Sequence, residues 1–260
     1  MKMNKNKSKV IISALVLVFM FLAFYTSKAY AAPEAFPIPK VNISVDNAST
    51  PQQYVGNLKL LIMLTILTIL PSFIMMMTSF VRIVVVFGFL RGAMGTQQSP
   101  PNTILIGLAL FLTVFIMQPV YGKINANAIQ PYMQNKITQE QAIDAGAKPL
   151  REFMLKYTYK KDFQLFIDTA KVNYKVTKDN APLYVVVPAY MISELKTAFE
   201  IGFMIYIPFM IIDLVVASVL MSMGMFMLPP AMVSLPFKLL LFVMVDGWYL
   251  LVKSLVTSFS

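Results

Sequence analysis

A few ionisable side chains stand inside long apolar runs: Asp213 in the run 201–228, and Lys238 and Asp246 in the run 235–259. A charge at mid-membrane depth costs about 2.5–3.5 kcal/mol on insertion scales, so each must be paired, wetted or put to use. Two chemistries are open. Asp213 and Asp246, brought together, can share a proton and activate water, as in an acid–base hydrolase. Asp213 and Lys238, brought together, form an ion pair that joins helices or subunits. Lys238 lies nine residues past Pro229 and Asp213 sixteen before it. That offset, on the order of 10 Å of helix, disfavours a direct pair in one straight hairpin and favours a pair between adjacent subunits or across a kink. A bundle-facing Asp213 that only sets helix packing is the plainer alternative. Glu194, in Ser193-Glu194-Leu195-Lys196, reads first as a solvated helix turn.

Cysteine and histidine are both absent. That removes disulfides, thiolate nucleophiles, imidazole bases and almost every zinc, haem or iron–sulfur ligand set. Chemistry is left to carboxylates, lysines and hydroxyls, with no cofactor implied and no glycine-rich phosphate loop. The chain reads as no enzyme. Methionine is abundant at 20 residues, with Met221, Met223, Met225 and Met227 closing one apolar run. Alternation at every second position does not fit one helix face. Flexible apolar filler is the plainer reading; the sharper one is a loop of adaptable thioethers that plugs an opening yet yields to a passing chain.

The elements that hold these residues are apolar helices. With 58% apolar and 13% charged residues, the chain falls in the membrane class. Its formal charge of +10 is no sign of nucleic-acid binding, because Lys2, Lys5, Lys7 and Lys9 crowd the start. Followed by an apolar stretch from Val10 and by Ala29-Tyr30-Ala31, they make residues 1–31 a secretory signal peptide. Residues 32–57, with Pro33, Pro37, Pro39 and Pro51, read as an irregular extracytoplasmic lead-in. A first hairpin is expected over 58–120, with a bend or a break at Pro71 and a polar connection from Arg91. Residues 121–198 read as a polar, largely helical extracytoplasmic insert with Leu150, Phe153, Met154 and Tyr157 at helical spacing. A second hairpin, 199–260, turns at Pro229 and Pro230. The fold class is therefore all-α: membrane helical hairpins around a helical insert. Arg82 and Arg91 put the Arg91 connection on the cytoplasmic side.

Four stretches, in order, carry a family resemblance. They are Phe87-Gly88-Phe89-Leu90-Arg91 followed by Gly95-Thr96-Gln97-Gln98; Pro188-Ala189-Tyr190-Met191-Ile192-Ser193-Glu194-Leu195; Pro208-Phe209-Met210-Ile211-Ile212-Asp213-Leu214; and Leu235-Pro236-Phe237-Lys238-Leu239-Leu240 running into Val245-Asp246-Gly247-Trp248. The chain from about Thr78 to its end thus resembles the FliP family of the flagellar type III export gate. That resemblance implies a pore-forming hetero-oligomer in the cell membrane at the flagellar basal body. Its parts would be five FliP copies with FliQ and FliR, neighboured by FlhB and FlhA, with FliO as assembly factor, conducting unfolded flagellar export substrates. The family's hairpins are largely lifted out of the bilayer into the assembly, so hydropathy finds the helices here but misplaces them. The family's methionine-rich gasket matches Gly224-Met225-Phe226-Met227-Leu228-Pro229-Pro230. Met225, Phe226 and Met227 are then the pore gasket, with Phe226 where the family has Met, and Asp213, Lys238 and Glu194 match polar positions used in subunit contacts. The readings set against this are the equivalent injectisome subunit, an ion channel or transporter, and an intramembrane protease built on Asp213 and Asp246. The leader and proline-bearing lead-in look more like the flagellar form.

Overall fold

The computed structural model describes residues 51–96, 98–170 and 180–259, and every element among them is helical. The expected signal peptide and the lead-in up to residue 50 lie outside the described residues. The chain divides into two compact units, Met1–Leu58 and Lys59–Ser260, and all but the first eight of the described residues belong to the second.

Helix α1 (Pro51–Met76) runs unbroken through Pro71, so of the bend or break expected there the break does not occur. The chain breaks instead at 77–79. There Thr78 Oγ1 donates to Met75 O at 2.8 Å, and the buried Tyr190 hydroxyl donates to Thr78 O at 2.9 Å. A break needs partners for the backbone groups it frees, and residues 61–76 are exposed on all sides. Helix α2 (Phe80–Met94), the other half of the same apolar run, is its opposite: Ile83, Val86, Phe87, Leu90, Ala93 and Met94 are all buried.

Helix α3 (Asn102–Ile124) does not stop where polarity rises. It passes through one π-helical turn (Asn125–Ile129) into α4 (Gln130–Met133), giving a continuous rod, Asn102–Met133. Pro131 lacks an N–H and its ring crowds the carbonyl four residues back. The wider turn, in which Gln130 N–H reaches Asn125 O, makes room for it. Helix α5 (Gln139–Tyr157) starts at a capping box. Gln141 N–H donates to Thr138 Oγ1 (3.3 Å), and Thr138 N–H donates to Gln141 Oε1 (3.0 Å). The face anticipated from spacing is its packed face, with Phe153 and Met154 buried and Leu150 and Tyr157 against them. Helix α6 (Lys160–Ala170) follows.

Helix α7 (Leu183–Ser222) contains 40 residues, Pro188 and Pro208 among them. At 1.5 Å per residue it is about 60 Å long, roughly twice a hydrocarbon core of about 30 Å. It therefore joins what the sequence divided into insert and third apolar run. Helix α8 (Pro230–Met244) returns along it, and α9 (Gly247–Thr257) bends away by 62° at Val245 and Asp246. The run 235–259 is thus an elbow, and Asp246 supplies it with a left-handed φ of 50°, a conformation aspartate tolerates better than most residues.

Two cores result. One joins α2, α3, α7, α8 and α9 around Phe87, Leu90, Phe209, Phe242 and Leu255. The other gathers Met117, Phe153, Met154, Val186, Tyr190 and Phe259 where α3, α5 and α7 meet the chain's last described residues. Close approach of α2 to α7 depends on Gly202, where a Cβ would meet the ring of Phe89.

Candidate functional site

The loop 223–229 is held at both ends. At the end of α7, Gly224 adopts φ 77°, its N–H donates to Met221 O at 3.0 Å, and Met225 N–H donates to Leu220 O at 3.0 Å. This paired pattern closes a helix with a left-handed glycine and satisfies its last carbonyls. At the other end Pro229 and Pro230 open α8, where a missing N–H costs nothing and φ is already set. Between these anchors the apolar side chains face outward: Phe226 is 78% exposed and Met227 98% exposed, with Met225 partly covered. The chain therefore spends a rigid turn on presenting oily side chains to its surroundings.

Asp213 and Lys238 meet within the hairpin. Lys238 Nζ donates to Asp213 Oδ2 at 2.7 Å and to Ala93 O at 3.2 Å, and the buried Ser234 hydroxyl donates to Asp213 Oδ1 at 2.5 Å. The offset inferred from the sequence took Pro229 as the pivot. The loop is the true pivot: Asp213 lies nine residues before Ser222 and Lys238 eight after Pro230, so the two arrive level. The ammonium also sits on a terminal carbonyl of α2, where the helix dipole favours positive charge. One lysine thus ties α2, α7 and α8, while the Asp213 side chain keeps 39% of its surface exposed.

Glu194 is not on a solvated turn. It is completely buried and takes a two-pronged grip from Arg82, Nε to Oε2 at 2.8 Å and Nη2 to Oε1 at 2.5 Å. Arg82 Nη1 donates to Ser258 Oγ at 3.0 Å, and the guanidinium lies 3.9 Å from the centroid of the Phe259 ring. Parallel hydrogen bonds to a carboxylate suit the planar arginine fork. Beside it, Ser193 Oγ accepts from Tyr159 N–H (3.0 Å) and donates to the buried Asp162 (2.8 Å). Arg82 was a site residue the sequence reading missed, having served there only as an orientation signal. An arginine in an apolar run, with a glutamate in the polar stretch Ser193-Glu194 elsewhere, was the available sign. Asp246 stands exposed at the elbow, about 12 Å of helix from Lys238. Asp213 is engaged with Ser234 and Lys238, so the two aspartates are not brought together as an acid–base pair.

Three of these helices are long and apolar enough to cross a membrane, or four spans if the bent pair α8–α9 is one. Together with internally paired charges, they define a multi-pass helical membrane protein. The FliP family model matches residues 63–255, and the chain belongs to that family. It is 54% identical over 217 residues to the flagellar biosynthetic protein FliP of Bacillus subtilis (strain 168), covering 84% of this chain and 98% of the relative. It is 52% identical to that of Pectobacterium carotovorum over 80% of this chain and 81% of the relative. It is 49% identical to that of Aquifex aeolicus (strain VF5) over 86% and 92%. The chain is a membrane component of the flagellar export apparatus, and this outcome favours the flagellar reading over the injectisome, channel and protease readings.

Proposed function

We propose that this chain is a pore subunit of the flagellar protein-export gate and that Met225, Phe226 and Met227 form the closing ring when copies assemble. The observation that carries the proposal is the outward, almost fully exposed apolar tip of a loop anchored by Gly224 and by Pro229-Pro230. Alone, such a tip is unfavourable in water; ringed by its own copies, it makes an apolar constriction that excludes water and ions by dewetting. An unfolded substrate parts the ring mechanically, and this chain supplies no catalytic step.

The rest of the surface fits assembly. Apolar grooves of about 480 Å³, lined by residues such as Ile211, Val215 and Phe237, and about 610 Å³, lined by residues such as Ile201, Phe209 and Leu250, are open for neighbours. In this reading five copies join FliQ and FliR, FlhB and FlhA adjoin them, and FliO assists assembly. The leader 1–31 is cleaved on export, 32–57 leads in from outside, 58–120 and 199–260 are hairpins, and 121–198 is the extracytoplasmic insert. The Asp213–Lys238 and Arg82–Glu194 pairs set the shape in which each copy meets the next.

The test is permeability. Replacing Met225, Phe226 and Met227 by Gly in the assembled gate is expected to make cells leak small ions while export continues in part. An unchanged leak removes the gasket assignment.

A further inference from the structure

Ser79 immediately precedes α2, a position where serine ordinarily takes extended backbone and its hydroxyl accepts from an N–H of the helix's first turn. It does neither. Its φ of −67° and ψ of −5° are helical, it gives α2 no side-chain cap, and its fully buried Oγ has no hydrogen-bond partner among the described residues. A buried hydroxyl without a partner is unfavourable. The backbone is held this way one residue earlier, where Thr78 O accepts from the buried Tyr190 hydroxyl at 2.9 Å. On the other side of the joint, residues 61–76 of α1 are exposed on all sides, so packing within the chain does not fix the direction of α1.

We propose that residues 77–79 are a two-position joint that directs α1 one way in the free chain and another way once neighbouring copies seat α1. In the first position, the one described, Tyr190 donates to Thr78 O and Ser79 caps nothing. In the second, Ser79 ψ turns by roughly 140° to the extended range. Its Oγ then accepts from a first-turn N–H of α2, Thr78 O leaves Tyr190, and α1 swings. Each position satisfies one buried hydroxyl and leaves the other, Ser79 or Tyr190, without its bond. The two therefore lie close in free energy, and contacts along α1 decide between them. The second position presupposes the assembly of copies proposed above. Thr78, Ser79 and Tyr190 are buried within one chain, so neighbouring copies do not alter their surroundings directly.

The chain has no cysteine, so K59C and I143C place one spin label near the start of α1 and one on α5. Residue 59 lies roughly 27 Å along α1 from Met77, a long lever for any swing. Pulsed dipolar electron resonance measures the separation in the purified full chain and in the assembled gate, where labelled chains are diluted with unlabelled ones. The separation is expected to change by about 10 Å or more on assembly. In the free chain, Y190F removes the bond that holds the first position and should raise the population at the assembled separation about tenfold. S79A, added to Y190F, removes the cap that holds the second position and should take that gain away. Each change deletes one oxygen, so the fold is kept. A Y190F population equal to the parent's overturns the joint, and so does a gain that S79A leaves in place. If the gate assembles with the separation unchanged, the joint falls and the assembly stands. If labelled chains never join other copies, both fall.

Discussion

Replacing Glu194 by Ala strips the buried Arg82 guanidinium of its counter-charge. Breaking a buried ion pair from one side costs about 3–5 kcal/mol, because a desolvated charge is left without its partner. Arg82 keeps Ser258 Oγ at 3.0 Å and the Phe259 ring at 3.9 Å, which places the loss near the lower bound, about 3 kcal/mol. For a protein of this size 1 kcal/mol moves Tm by about 2–4 °C, so E194A should lower it by about 6–12 °C. E194Q retains shape and one acceptor and should fall between E194A and the parent. The double variant R82A/E194A removes both charges and should be less damaged than the sum of the singles, with coupling above about 1 kcal/mol. Thermal unfolding of the purified, detergent-solubilised protein followed by circular dichroism reads the parent, R82A, E194A, E194Q and the double variant. Additive effects, or an E194A shift below about 2 °C, would refute the buried-pair argument and leave Glu194 an ordinary packing residue.

Exchanging Asp213 for Lys, or Lys238 for Asp, should each abolish co-purification of the chain with its assembly, and the double exchange should restore part of it; no recovery would show that the pair does not act as a unit. G202V places branched carbons against the Phe89 ring and should cost about 1–3 kcal/mol, seen as a fall in Tm larger than that of G202A. T138A removes half of a capping box at the start of α5 and should cost about 1 kcal/mol, with faster amide exchange confined to the first turn of that helix.

Helical class and the packed face of α5 were readable in the sequence because both rest on local periodicity, and Leu150, Phe153, Met154 and Tyr157 recur at the three- and four-residue spacing of one helix face. The breaks were less readable. Pro71 carries the strongest local signal, yet the chain turns at 77–79 because the Tyr190 hydroxyl, 112 positions from Thr78, donates to the freed carbonyl. The Arg82–Glu194 pair is equally remote in sequence, 112 positions apart, and no spacing rule links such residues. Asp213 and Lys238 were both singled out by their charge, but their register depended on where the hairpin pivots. A loop of seven residues in place of a tight proline turn brought them level. Met225, Phe226 and Met227 came from a family resemblance; their outward position depends on the turn at Gly224, whose need for a left-handed residue is visible only once the backbone is known.

The chain has no cysteine, so F226C introduces a single thiol at the tip of the proposed throat. Mild oxidation of the assembled gate carrying that substitution tests most directly whether the loops of several copies meet. Disulfide-linked pairs of this chain at position 226 are expected, and none from a control cysteine at the exposed Ile143 on α5. A chain that remains monomeric with 226 freely alkylated, under conditions where the gate is intact, would contradict it.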